Sequence, residues 1–333
     1  MATAAGKRNL ITDVAGVRVG QAQDARIDTG VTVILPDTPV IAACAVAGGG
    51  PGTRETDLLS AGAMVDHVDA IFLSGGSAFG LGAADGVMAG LKEAGRGFSL
   101  VERPGVPPTP IVPGAILYDL ANGGDKNWTG IAPYAALGLE AFKTASKDFD
   151  LGRAGAGHGA RAGQHPGGTG SASAVTAEGF TVGALACVNA FGSVLMPGTD
   201  VYWAWPYELD GEFGGVRPPA DFAMDPDDWG AAKVNPVLGQ NTTIACVATD
   251  APLTAAQASR IAQMALSGFS RAIRPVFAPF DGDAVFVLST ASEALPAPDP
   301  LTVTRIGELA ASTLARAITR GVHEARRQSV AVA

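Results

Sequence analysis

Apolar and polar positions along the chain predict a strand-rich protein with helices between and after the strands. Val17-Arg18-Val19 alternates with a period of two, and Val31-Thr32-Val33-Ile34-Leu35 is a β-branched run that stops at Pro36. A third apolar run spans Val40 to Val46 and ends in Gly48-Gly49-Gly50-Pro51-Gly52. Thr53 to Asp57 reads as the start of a helix. Asp69 to Ser74 is a buried-strand pattern that runs into Gly75-Gly76-Ser77-Ala78-Phe79-Gly80. A helix of small residues follows, Leu81 to Ala94, closed by Gly95.

Pro104 to Pro113 is extended, and Ile116-Leu117-Tyr118 resumes strand character. Asp148 to Gly170 is dominated by glycine, and Phe180 to Leu195 reads as a strand pair. Tyr202 to Gln240 differs in composition, with three of the four tryptophans, five prolines and many acids. It predicts a loop excursion and linker, 202–240. Thr242 to Thr249 is a strand. Thr254 caps a helix whose apolar face is Ile261, Ala262, Ala265, Leu266 and Phe269. Pro275 to Ser289 predicts a hairpin turning at Asp281-Gly282-Asp283. Ile306, Ala310, Leu314, Ala317 and Ile318 mark a last helix. Together these elements suggest sheets covered by helices, an α+β or layered α/β domain.

Composition narrows the function classes. With 333 residues, 47% hydrophobic and 17% charged, the chain can bury a large core and is not disordered. A net charge of −9 argues against a nucleic-acid partner and against a polybasic membrane-surface role. No apolar run reaches the length of a membrane span, and no apolar segment follows the basic Lys7-Arg8, so a cytoplasmic protein without a signal peptide is expected. Cys44, Cys187 and Cys246 are dispersed and suit reduced, buried thiols. Four histidines without an HExxH pattern predict no metal site, and the Gly155 to Gly163 stretch lacks the spacing of a dinucleotide loop. No cofactor is expected.

The informative spot is Gly239-Gln240-Asn241-Thr242-Thr243-Ile244, where a linker becomes a strand. Three readings are open. Asn241-Thr242-Thr243 matches a glycosylation sequon, which is out of place without a secretory signal. It also suits an ordinary turn before a β-branched strand. The third reading is self-cleavage: a threonine hydroxyl attacks the preceding carbonyl, and the new N-terminal threonine carries its own amine as the adjacent base. A free α-amine has a pKa of ~7.7–8.0, suited to proton transfer near neutrality.

At this point the chain resembles the DmpA-type N-terminal-nucleophile hydrolases, which include the L-aminopeptidase/D-esterase, the β-peptidyl aminopeptidases and the nylon-oligomer hydrolase. The resemblance runs nearly the whole length. Its motifs are Ile11 to Ala22 (ITDVAGVRVGQA), Gly48 to Leu59 (GGGPGTRETDLL) and Leu73 to Val87 (LSGGSAFGLGAADGV). Pro110 to Leu120 (PIVPGAILYDL), Gly152 to Gly163 (GRAGAGHGARAG), Asn241 to Ala251 (NTTIACVATDA) and Phe280 to Phe286 (FDGDAVF) complete the set.

The resemblance implies a four-layer α/β/β/α sandwich of the DmpA/ornithine acetyltransferase type. It implies a single domain, 1–333, cut between Asn241 and Thr242 into an α chain, 1–241, and a β chain, 242–333. Thr242 would be the nucleophile and Asn189 an oxyanion donor. Tyr118 would be an active-site tyrosine, and Asp281 with Asp283 the acidic pair that holds the new ammonium. Gly75, Gly76 and Ser77 would line the pocket with exposed N–H groups. Gln164 stands where the nylon-oligomer enzyme has an active-site lysine. Ile116 stands where the aminopeptidase branch has a glutamate for the substrate ammonium, which favours an internal or uncharged amide. The implied substrate is a small peptide or amide, and the implied assembly a homotetramer of αβ units. An N-acyltransferase of the same fold, and an uncleaved binding protein, stay open at this stage.

Overall fold

The computed structural model describes residues 3–101, 103–233, 241–291 and 295–332. Residues 234–240, the end of the expected linker with Gly239 and Gln240, lie outside the described residues.

Two sheets are stacked between two pairs of helices. The five-stranded sheet has the order β1 (Val17–Asp24), β2 (Thr29–Pro36), β6 (Ile71–Ser74), β7 (Gly114–Ile116) and β4 (Thr53–Arg54). The six-stranded sheet has the order β10 (Gly168–Val175), β11 (Thr181–Asn189), β12 (Thr242–Thr249), β13 (Ala284–Ser289), β3 (Val40–Val46) and β5 (His67–Val68). A small hairpin, β8 (Arg161–Ala162) and β9 (His165–Pro166), stands beside them. Helices α1 (Ala83–Glu93) and α2 (Tyr134–Lys143) cover the five-stranded sheet, and α3 (Ala255–Ala272) and α4 (Pro300–Val332) cover the other.

Three apolar clusters fill the three spaces between layers, and the strand period sorts residues among them. On β12, Ile244, Cys246 and Ala248 point between the sheets, whereas Ala245 and Val247 point toward α3 and α4. On β11, Leu185 and Cys187 share the inter-sheet side, and Ala184, Ala186 and Val188 face the helices. The four-layer α/β/β/α sandwich is therefore present. Burial pushes the Cys187 thiol up to about 12 and raises Cys246 too, which makes both inert packing groups. The Thr254 cap is also present: its hydroxyl accepts the Gln257 N–H, and the Gln257 side chain accepts the Thr254 N–H. No helix among the described residues is long and apolar enough to cross a membrane.

Four local expectations are corrected. Thr53 to Asp57 is not a helix start; it holds the two residues of β4 and leads into a 3-10 turn, Asp57–Leu59. Phe180 to Leu195 contains one strand, β11, whose partner β10 starts at the end of the glycine-rich stretch. Those glycines set a distance: a Cβ on Gly170 would lie 1.9 Å from the Ala317 carbonyl oxygen of α4. Pro275 to Ser289 is not a hairpin, because β13 runs parallel to β12 and Asp281 to Asp283 is the loop that enters it. Helix α2 is absent from the predicted elements; Gly138, in its middle, lets the Ala83 carbonyl approach to 2.1 Å of where a Cβ would stand.

Candidate active site

The junction between the linker and β12 is buried. Asn241 is 1% exposed and Thr242 3%. Asn241 bridges Asp281 in parallel fashion, which brings the loop before β13 alongside the first residues of β12. The Gly282 N–H donates to the Asn241 carbonyl oxygen at 3.0 Å. The Thr242 hydroxyl donates to the same oxygen. A Cβ on Gly282 would lie 2.6 Å from the Thr242 Oγ1, so a side chain there would have to displace that hydroxyl.

Two carboxylates flank the junction. Asp283 accepts the Thr243 N–H at 2.6 Å on Oδ1 and the Phe277 N–H at 3.3 Å on Oδ2. Asp281 accepts the Ala278 N–H at 3.0 Å on Oδ2, while its Oδ1 is buried without a hydrogen-bond partner. Burial raises both carboxyls, and the Asp281 charge raises Asp283 further. The Gly48-Gly49-Gly50 cluster closes over this loop. The Gly50 N–H reaches the Asp281 carbonyl at 2.7 Å, and a Cβ on Gly48 would lie 2.3 Å from that carbonyl. Of nine buried side-chain polar atoms without a partner among the described residues, four belong to Asn241, Thr243 and Asp281. Such atoms are few in folded proteins, so their concentration marks the junction.

Asn189 ends β11 and is the register partner of Thr242. It lies on the inter-sheet side, in step with Leu185 and Cys187. Its Oδ1 accepts the Arg161 main-chain N–H at 2.9 Å and the Asn122 amide at 3.0 Å. Its Nδ2 donates to the Tyr118 main-chain carbonyl at 2.8 Å. These partners fix which way the amide points. Tyr118 thus meets Asn189 through its backbone.

Other expected pocket residues are placed differently. The Gly75, Gly76 and Ser77 N–H groups are all used internally, on the Gly30 carbonyl at 2.9 Å, the Asp119 carboxylate at 2.8 Å and the Leu117 carbonyl at 3.0 Å. The expectation of exposed N–H groups there is therefore corrected. Ile116 packs in the cluster under α1 and α2, so its apolar character reflects that layer and carries no argument about a substrate ammonium. Gln164 is exposed, with its Nε2 donating to the Ala232 carbonyl at 3.2 Å.

One charged group at the site is missed by sequence reasoning. Lys233 is the sole lysine between 202 and 240. Its ammonium donates to the Asn189 main-chain carbonyl at 3.4 Å. Burial lowers it to about 8, opposed by the Asp281 charge and helped by Arg161. A lone lysine in an acid-rich excursion was the signal available.

Comparison with known proteins matches the chain to a family. The model of peptidase family S58 matches residues 9–333. An uncharacterized aminopeptidase of Mycobacterium tuberculosis is 44% identical over 340 residues, covering 96% of this chain and 94% of that protein. The 6-aminohexanoate-oligomer endohydrolase of Paenarthrobacter ureafaciens is 31% identical over 299 residues, covering 87% and 78%. Among solved structures, a Burkholderia β-aminopeptidase superposes with a TM-score of 0.69 at 23% identity, covering 96% of this chain and 88% of that one. The L-aminopeptidase D-Ala-esterase/amidase of Ochrobactrum anthropi, described as a variant of the N-terminal-nucleophile hydrolase fold, gives 0.67 at 20%, covering 96% and 87%. These two share the fold.

Proposed function

The chain belongs to peptidase family S58 and is a hydrolase of peptide or amide bonds, and on that premise we propose that its nucleophile is Thr242, released by self-cleavage after Asn241. One observation carries the reading: the Asn241 carbonyl oxygen receives both the Thr242 hydroxyl and the Gly282 N–H.

In the first step the Thr242 Oγ1 attacks the Asn241 carbonyl carbon. The charge that develops on the oxygen is met by the Gly282 N–H, a donor already in place before reaction. The C–N bond breaks as the Thr242 nitrogen takes the proton given up by its own hydroxyl, leaving an ester. Water hydrolyses that ester, releasing the Asn241 carboxylate and a threonine with a free hydroxyl and ammonium. The unpartnered Asp281 Oδ1 is the acceptor for this ammonium. Asp283 holds the strand start through the Thr243 N–H.

In each later turnover the α-ammonium first gives up a proton, and the resulting α-amine takes the hydroxyl proton as Oγ1 attacks the substrate carbonyl. That proton passes to the leaving amine as the C–N bond breaks, and water hydrolyses the acyl-enzyme. Asn189, opposite Thr242, contributes the side-chain amide at the oxyanion. Directly opposed residues on one sheet face have Cβ atoms ~4.5–5.5 Å apart, within reach of a common substrate atom. The substrate class is short peptides and small amide oligomers.

A panel of short peptides, aminoacyl amides and 6-aminohexanoate oligomers, assayed for released amine, tests this. Wild type should turn over at least one member, and Thr242→Ala none. Hydrolysis retained by Thr242→Ala would overturn the assignment.

A further inference from the structure

The uncut chain has a charge problem that the mature site does not. Before cleavage the Thr242 nitrogen is an amide and carries no charge. Asp281 nevertheless is buried beside Asp283, with Oδ1 unpartnered. The Lys233 charge favours the Asp281 carboxylate, and Lys233 in turn feels the charges of Asp281 and Arg161.

Lys233 is held from several sides. Its main-chain N–H donates to the Phe191 carbonyl at 3.0 Å, and its ammonium to the Asn189 carbonyl at 3.4 Å, directly across from Thr242. The segment that carries it is seated on Gly163 and Gln164. The Gln164 N–H holds the Ala231 carbonyl at 2.8 Å, and its side chain holds the Ala232 carbonyl at 3.2 Å. Only a glycine at 163 allows this, since a Cβ there would lie 2.1 Å from the Ala231 carbonyl oxygen.

We propose that Lys233 is a positioning residue for self-cleavage, its ammonium holding Asp281 charged in the uncut chain until the new α-ammonium of Thr242 takes over that carboxylate. The proposal rests on the assignment of Thr242. It also accounts for Gln164: the segment lying on Gln164 delivers the cation that residue 164 itself does not carry.

The test is processing of the full-length chain, followed by mass from about pH 5 to about 9. Lys233→Met should slow cleavage about tenfold or more and move the acid limb upward by about one unit, because an opposite charge favours the ionised carboxyl. Lys233→Arg should keep rate and limb near wild type. Gln164→Lys added to Lys233→Met should restore both. If Lys233→Met fails to fold by circular dichroism, Lys233→Gln carries the same expectation.

Unchanged rate and limb in Lys233→Met would overturn the proposal. So would slowing with an unmoved limb and no rescue by arginine or by Gln164→Lys, since the lysine would then only pack. A wild type cut at 241/242 alongside an indifferent Lys233→Met sinks this proposal alone. A wild type that stays whole sinks the Thr242 assignment, and this proposal with it.

Discussion

Asp119 and Asp281 are both buried aspartates beside glycine-rich loops, and burial raises both carboxyls. Their partners differ. Asp119 accepts the Thr29 hydroxyl at 2.5 Å and the Gly76 N–H at 2.8 Å, so both oxygens are occupied. Asp281, in the loop beside the first residues of the strand that opens at Thr242, has one oxygen on the Ala278 N–H, while the other makes no full hydrogen bond and is favoured only by the Phe191 N–H and the Lys233 charge. The two glycine loops follow suit. The Gly75-Gly76-Ser77 turn consumes its own N–H groups, whereas Gly282 directs its N–H at the Asn241 carbonyl. A buried polar group without a partner costs stability. On the proposed assignment of Thr242, the cleaved state would supply that partner.

The largest effect that sharpens this contrast is Thr242→Ala, which should leave the chain whole on any timescale, read by denaturing gel. Next, Asp281→Asn should slow processing about a hundredfold, the scale of losing an acid–base or charge partner in a reaction. Asp119→Ala should do the reverse. It strands the Gly76 N–H and the Thr29 hydroxyl, costing about 1–3 kcal/mol for each buried group left unmade, read by chemical denaturation. The folded fraction of Asp119→Ala should still process at the wild-type rate. If Asp281→Asn unfolds the protein while Asp119→Ala is innocuous, the contrast is backwards.

Gly282→Ala places a Cβ 2.6 Å from the Thr242 Oγ1 and should slow processing about tenfold to a hundredfold, since small misplacements cost that much. The far end of the scale is pH. The Asp281 carboxyl is raised by burial to about 6 in the uncut chain, above its unfolded value of ~3.9. Folding therefore binds a proton there. That contribution to stability is complete below the unfolded value and is lost as pH rises through about 6. Asp281→Asn, measured by chemical denaturation in the Thr242→Ala background, should flatten this part of the stability profile. Asp119→Asn should flatten its own share, because burial raises Asp119 too.

The contrast also shows what sequence can carry. The β12 strand was legible from Thr242-Thr243-Ile244, because β-branched residues suit extension whatever lies around them. The Thr254 cap was legible because the group its hydroxyl accepts lies only three residues on. The β10 strand was not, because its glycines answer to α4, more than a hundred residues away. The same holds for α2, whose Gly138 weakens the local helix signal and serves close packing against Ala83. At the site, the structure brings Thr242, Asn189, Asp281 and Asp283 together. Whether a given N–H is spent or available depends on contacts such as Asp119 to Gly76, which no spacing rule contains. Lys233 escaped for a related reason: its partner Asn189 lies on a different element.

The central claim is that this chain makes its own nucleophile, and the most direct measurement is the intact mass of purified wild type with N-terminal sequencing of every fragment. The account predicts two chains, residues 1–241 and 242–333, the second beginning Thr-Thr-Ile-Ala-Cys. A single uncut chain after long incubation at neutral pH, or a cut at any other bond, would contradict it.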